Sequence, residues 1–175
     1  GSIGGSSLNV TGGVLNLSGT STNTPVAIGA LATLVDANGG LANTAAITNA
    51  GILTVNAADT INSLANNAGT VNGTGTLNVT GATIFTGGTL AAPLTINGNG
   101  GGSFTNATIA GVFNGNTTST GNTLVSGSIG GGSLNVAGGT LNLTGSSINN
   151  PVTIGAMATL VDANGGLASS AAITN

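Results

Sequence analysis

The chain repeats itself at a distance of 126 residues. Residues 1–49 align without a gap onto residues 127–175, and 38 of these 49 positions are identical. The segment Ala32–Ala42 recurs unchanged as Ala158–Ala168. Such a fixed period is typical of repeat proteins, in which each unit buries its apolar surface only against its neighbours. We therefore expect residues 1–175 to form one continuous repeat structure, with no division into domains.

The repeat is cut within a period at both ends of the chain. The sequence opens on Gly1-Ser2-Ile3, without a basic or apolar leader. We therefore expect the chain to be an excerpt from a longer tandem array.

A shorter period lies inside the long one. A motif of the form Leu-Asn-Val/Leu-x-Gly occurs at Leu8–Gly12, Leu15–Gly19, Leu77–Gly81, Leu134–Gly138 and Leu141–Gly145. Glycines that precede apolar residues divide the period into six coils of about 21 residues each, and these glycines are Gly51, Gly69, Gly88, Gly111, Gly132 and Gly155. The second residue after each glycine is apolar, and this predicts one internal ladder: Leu8, Leu31, Leu53, Val71, Leu90, Phe113, Leu134 and Met157.

Local sequence favours short strands over helices. Leu15–Ser18, Leu53–Asn56 and Leu94–Asn97 alternate apolar with polar residues, which places one face in a core and the other in water. Asn-Gly pairs predict turns at 38–39, 72–73, 97–98 and 114–115, and Pro25, Pro93 and Pro151 each precede a short apolar stretch. Together with the small coil period, these features predict an all-β, parallel β-helix. A β-sandwich or an up-and-down barrel is the alternative, but neither accounts for the long recurrence.

The composition excludes whole classes of function. The chain has no Lys, Arg, His, Cys, Trp or Tyr, and its only ionisable side chains are Asp36, Asp59 and Asp162. Without cations it has nothing to neutralise phosphates, so we expect no nucleic-acid partner and no binding to anionic membranes. Disulfides, thiolate metal sites and histidine chemistry are excluded by the same count. No apolar run approaches the roughly 20 residues that a membrane-spanning helix needs, so we expect no membrane insertion of this segment.

The aspartates are candidate metal or catalytic groups. Asp36-Ala-Asn38-Gly39 and its copy Asp162-Ala-Asn164-Gly165 superficially resemble a calcium loop, but one carboxylate per loop is too little for a cation that takes many oxygen ligands. The alternative is a turn in which the aspartate caps its own backbone. Asp36 and Asp59 are separated by about one coil, so the two carboxylates could be adjacent in space. Paired-carboxylate catalysis would still lack a group to bind a sugar, and we predict no enzyme activity and no catalytic, cofactor or metal site.

Three other features have a structural interpretation. Phe85, Phe104 and Phe113 are the only aromatic residues, and we expect them to fill the core rather than stack on a carbohydrate. The pairs Thr74-Gly-Thr76 and Thr118-Ser-Thr120 do not recur at coil spacing, which argues against an ice-binding threonine array. Outward Thr and Asn residues are expected to form side-chain ladders between coils.

Several strings resemble the passenger repeats of bacterial autotransporters and filamentous-haemagglutinin-like adhesins. They are Asn67–Asn72, Gly75–Gly81 and Gly139–Gly145. The resemblance implies a right-handed β-helix, export to the bacterial cell surface, and a role in adhesion, aggregation or biofilm matrix. The sequence contains no secretion domain, membrane barrel or integrin-type motif, so the resemblance leaves the export route and the receptor open.

The predicted function is that of a structural extracellular fibre or stalk. Its partners would be further repeats of the same chain, or another copy that associates with the nearly uncharged solenoid ends, which lack the charges that normally discourage edge pairing. The alternative is an adhesin module that binds a glycan, a surface or another copy of itself.

Overall fold

The computed structural model describes residues 1–175 as an all-β solenoid of about ten coils with roughly 18 residues each. Each complete coil has three faces. The first face contains β5 (Ala46–Asn49), β8 (Ser63–Asn67), β11 (Thr83–Thr86), β14 (Gly102–Thr105), β17 (Thr117–Thr120), β20 (Leu134–Val136), β23 (Val152–Ile154) and β25 (Ile173–Thr174). The second contains β6 (Ile52–Val55), β9 (Thr70–Asn72), β12 (Thr89–Leu90), β15 (Thr108–Ile109), β18 (Thr123–Val125), β21 (Gly139–Leu143) and β24 (Ala158–Asp162). The third contains β1 (Ser2–Ile3), β3 (Thr20–Ser21), β7 (Ala58–Ile61), β10 (Thr76–Val79), β13 (Thr95–Gly98), β16 (Val112–Asn114), β19 (Ser128–Gly130) and β22 (Ser146–Ser147).

Two longer strands run across the first and second faces without a break. They are β2 (Leu8–Leu17) and β4 (Val26–Asp36), and their register shifts between Val10 and Gly12, where the chain passes from one face to the next. All strand pairs are parallel, and each strand pairs with the equivalent strand one coil away. This topology confirms the predicted parallel β-helix and excludes the sandwich and the barrel. The structure has no helix that could cross a membrane.

The coils are shorter and less uniform than the sequence predicts. On the first face, one coil leads from Gly102 to Thr117, whereas a clearly longer one leads from Val26 to Ile47. Seven coils, not six, lie between Leu8 and its copy Leu134, so the mean coil is shorter than the sequence predicts. The corners differ in length from coil to coil, because only the strands must stay in register with their neighbours.

The core consists of inward side chains that stack from coil to coil. Buried apolar residues from all three faces form one continuous cluster. On the second face the stack runs through Leu53, Val71, Leu90, Ile109 and Val125. Each inward residue gains apolar contacts only when the next coil is in place, so stability comes from stacking.

The predicted internal ladder is correct for one stretch and wrong beyond it. Leu53, Val71 and Leu90 do stack, but Ile109 rather than Phe113 follows Leu90. The remaining predicted members are distributed over other faces and corners: Phe113 stacks between Ile96 and Ile129 on the third face, Leu8 and Leu134 lie on the first face, and Leu31 and Met157 are 87% and 92% exposed. The rule that the second residue after a glycine points inward fails, because glycines occupy several corners of each coil and the coil length varies.

Most local predictions are confirmed. The three prolines lie before strands, as predicted. Pro25 directly precedes β4, Pro151 directly precedes β23, and Pro93 lies two residues before β13. Gly39 has a φ of 72°, as expected for a turn residue. The predicted turn at Asn97-Gly98 is wrong, because both residues belong to β13. A glycine is needed there for space, since a Cβ at Gly98 would lie 2.5 Å from the Phe113 ring.

Candidate functional site

Two aspartates point into the core where the second face turns into the third. Asp36 is the last residue of β4 and lies in the inner stack between Leu17 and Val55. Asp59 lies in β7 beside Leu77, on the inner side of the third face. Their side chains are 0% and 7% exposed, and the two carboxyl groups are neighbours, because the consecutive Gly40 and Leu41 N–H groups donate to Asp36 and Asp59 respectively. These residues are neighbours, as the sequence allowed, but for a different reason: Val55 lies one coil after Asp36, and Asp59 lies on the following face. We call Asp36 and Asp59 the acid pair.

Backbone N–H groups surround the acid pair. Gly40 N–H donates to Asp36 Oδ1 over 2.9 Å, which confirms that Asp36 caps its own turn. Leu41 N–H donates to Asp59 Oδ2 over 2.8 Å, and Thr60 N–H donates to Asp59 Oδ1 over 2.7 Å. Only two carboxyl groups meet here, and the structure holds no group of three or more His, Cys, Asp or Glu side chains that would ligate a metal.

Asp162, the copy of Asp36, has a different arrangement. Its Oδ1 accepts the Gly166 N–H over 2.7 Å, and its Oδ2 accepts the Leu167 N–H over 3.3 Å. Leu167 is the copy of Leu41, whose N–H donates to Asp59 instead. The two copies differ in surroundings, because the position equivalent to Asp59 in the second copy lies beyond residue 175.

An asparagine ladder runs along the outer side of the third face. Asn97 Nδ2 donates to Asn78 Oδ1 over 2.8 Å, and Asn114 Nδ2 donates to Asn97 Oδ1 over 2.9 Å. The ladder forms one wall of a cleft of about 410 Å³ that is lined only by asparagine and glycine: Asn78, Asn97, Gly98, Asn99, Asn114, Gly115, Asn116 and Gly131. We call this the asparagine cleft. It offers amide donors and acceptors but no charge and no aromatic ring.

The sequence predicts side-chain ladders in general terms but does not locate this one. Asn78, Asn97 and Asn114 each follow an inward apolar residue, and they recur once per coil. The spacing of these asparagines could have located the ladder. It does not match the coil of about 21 residues that the glycines predict, so the ladder was not located from the sequence.

Threonines form a short column on the outer side of the first face. Thr86, Thr105 and Thr120 occupy equivalent positions on successive coils, and the hydroxyl groups of Thr105 and Thr120 are 2.6 Å apart. The neighbouring column contains Ile84, Ser103 and Thr118. Thr118 and Thr120 therefore belong to a local hydroxyl ladder rather than to a regular array of paired threonines, while Thr76 lies on the third face.

The three phenylalanines fill the core, as predicted. Phe85 and Phe104 have ring centroids 5.5 Å apart, and Phe104 and Phe113 meet edge to face at 5.0 Å. All three are fully buried, so none is available to stack on a sugar.

Comparison of the chain with protein-family models, with curated proteins and with solved structures finds no match. The resemblance to autotransporter and haemagglutinin-like repeats therefore stays a prediction.

Proposed function

We propose that the chain is a segment of a structural fibre or stalk on a bacterial cell surface, where rigidity and length are its contribution. The observation that supports this most directly is that the long repeat contains a whole number of coils. Leu8 pairs with Val26, and their copies Leu134 and Val152 pair in the same way seven coils later. A further period would therefore continue the same faces without a change in register.

The dimensions follow from strand spacing. Neighbouring strands lie about 4.8 Å apart, so seven coils extend the solenoid by about 34 Å per period. Because every coil is held by its neighbours, a tandem array of such periods would be one rod rather than a chain of hinged domains. This property suits a stalk that must project from a surface.

The composition supports an exposed, durable location. The chain contains no Lys or Arg, so trypsin-like proteases have no cleavage site in it. Its stabilising interactions are distributed along the whole length instead of depending on disulfides, which the absence of cysteine excludes.

Solution scattering from chains of one, two and three periods tests the fibre proposal. The maximum dimension should rise by about 34 Å with each period while the cross-section stays constant. A matched two-period chain with a flexible Gly/Ser linker between the periods should lose the rigid join and show a broader distribution of lengths. Equal behaviour of the two chains, or a length that does not rise with period number, would rule out a continuous rod.

The asparagine cleft supports a second candidate, an adhesin module for a neutral glycan. A cleft lined only by amide and backbone groups fits a hydroxyl-rich, uncharged ligand better than a phosphate or a cation. A panel of neutral oligosaccharides should then bind the chain in a concentration-dependent way. Asn99→Ala, on the exposed rim of the cleft, should weaken this binding, whereas Asn135→Ala, outside the cleft on the first face, should not. Absence of binding to the unmodified chain, or equal binding by both variants, would reject the cleft as the glycan site.

A further inference from the structure

One oxygen of the acid pair has no hydrogen-bond partner. Asp36 Oδ2 is fully buried and unpartnered, whereas Asp36 Oδ1 and both oxygens of Asp59 each accept a backbone N–H. Its carboxyl group lies beside that of Asp59, because the consecutive Gly40 and Leu41 N–H groups donate to the two groups, and both aspartates are buried. Leaving it unpaired beside a like charge would be costly, and a proton between the two groups removes both problems at once.

No cation is available to take the place of that proton. The elements around the pair contribute Leu17, Val55 and Leu77, and the turn after Asp36 contributes only neutral residues. The other ionisable side chain, Asp162, lies in the second copy, and the α-amino group of Gly1 lies on the first coil. The chain itself can therefore reduce the charge of two adjacent carboxylates here only by protonation.

The second copy shows how the unpartnered oxygen arises. The equivalent of Asp59 in the second copy lies beyond residue 175, and in its absence Asp162 Oδ2 accepts the Leu167 N–H. In the first copy, Asp59 reaches across from the following coil and accepts the Leu41 N–H, which leaves Asp36 Oδ2 without a hydrogen-bond partner. The acid pair is thus a feature of the contact between two coils, and it forms only when those coils stack.

We propose that the acid pair is a proton-dependent latch, in which a proton on Asp59 is donated in a hydrogen bond to Asp36 Oδ2, holds two neighbouring coils together in mild acid and weakens their contact when it leaves. Each long period carries one Asp59, so a tandem array would carry one latch per period at the same coil contact.

The ionisation behaviour of Asp59 supports this arrangement. Burial, and to a smaller extent the contact with Asp36, raise the pKa of Asp59 from its ordinary value of 3.8 to about 6, against the lowering effect of the Leu41 and Thr60 N–H groups. Between these two values the folded chain holds a proton that the unfolded chain has released. The latch therefore contributes fully below about pH 4, and its contribution falls as pH rises to about 6 and stays low above that.

Urea unfolding of the 175-residue chain at several values between about pH 4 and pH 7 tests the latch. The free energy of unfolding should decrease with rising pH, with a slope that corresponds to about one proton released on unfolding near pH 5. A free energy that stays constant or rises through this range would overturn the proposal.

Three substitutions identify the groups involved. Asp36→Asn places an amide N–H at the position of Oδ2, where it donates to Asp59 at every pH, so the slope should become shallower than in the wild type and neutral-pH stability should be kept. Asp59→Asn should remove the slope and weaken the fold at pH 5, because an amide nitrogen cannot accept one of the N–H bonds that Asp59 receives. Asp162→Asn is the matched control, since it changes the same turn without an acid partner, and it should keep the wild-type slope. A slope in Asp36→Asn as steep as that of the wild type, or a slope lost in Asp162→Asn, would reject the pair as its source.

Calcium chloride at pH 7 separates a proton from a metal ion. The latch predicts that calcium leaves the unfolding midpoints of wild type and Asp36→Asn equally unchanged. If calcium raised the midpoint of the wild type alone, the pair would be a cation site and the proton latch would be wrong.

Discussion

Phe113 occupies the space that a side chain at Gly98 would need. A Cβ added to Gly98 would lie 2.5 Å from Phe113 Cζ, and one added to Gly102 would meet the same ring at the same distance. Gly98 lies one coil before Phe113, and Gly102 begins the next strand of the coil. The core around Phe113 thus combines the largest side chains with positions that have none.

Substitution of Gly98 by alanine should therefore destabilise the solenoid. Insertion of a methyl group into a filled core costs about 1–3 kcal/mol, and the ring cannot retreat because Phe104 packs against it edge to face. Urea unfolding gives the change in free energy. Gly138→Ala is the matched control, since nothing lies within 4 Å of its Cβ position. Phe113→Leu should rescue part of the Gly98→Ala loss, and purely additive effects would show that the two sites do not share this space.

Asn149 and its copy Asn23 should differ in their contribution to stability. The Asn149 amide donates to three carbonyls, those of Gly115, Gly132 and Ser133, whereas the Asn23 amide donates to one, that of Ser7. An unsatisfied buried polar group costs about 1–3 kcal/mol. Asn149→Ala should therefore lower the free energy of unfolding by at least about 1 kcal/mol more than Asn23→Ala. Equal losses would mean that the extra carbonyls find other partners.

The asparagine ladder should stabilise the stacking of β10, β13 and β16. Asn97→Ala removes the bond donated to Asn78 and the bond received from Asn114, for a loss of about 1–2 kcal/mol. Asn135→Ala is the control, because Asn135 is an exposed outward residue in β20 without a side-chain hydrogen bond of this kind. Its effect should stay within about 0.5 kcal/mol. If Asn97→Ala were equally mild, the ladder would contribute nothing beyond what water supplies.

The parallel solenoid could be predicted from the sequence because two independent signals agree. The long recurrence indicates a repeat structure, and the alternation in stretches such as Leu53–Asn56 indicates strands with one buried face. Coil length was harder to predict, since parallel pairing fixes only the strands and lets the corners vary from one coil to the next. The separation of Asp36 and Asp59 allowed them to be adjacent, although the residue one coil after Asp36 is Val55. The unpartnered oxygen depends on which N–H group each carboxylate reaches. That detail is set by side-chain geometry, which residue spacing does not contain.

Leu90 and Met157 were predicted for the same internal ladder, but only Leu90 lies in the core. Leu90 is fully buried between Val71 and Ile109, whereas Met157, predicted for the same ladder, projects from a corner. Leu90→Ala should cost about 2–5 kcal/mol through lost burial and the cavity left behind. Met157→Ala should change the free energy of unfolding by less than about 0.5 kcal/mol, and so should Leu31→Ala, its counterpart one period earlier. A large loss of unfolding free energy in Met157→Ala would mean that another molecule covers this corner in solution. Measurement of the molecular mass in solution would then show whether that molecule is a second copy of the chain.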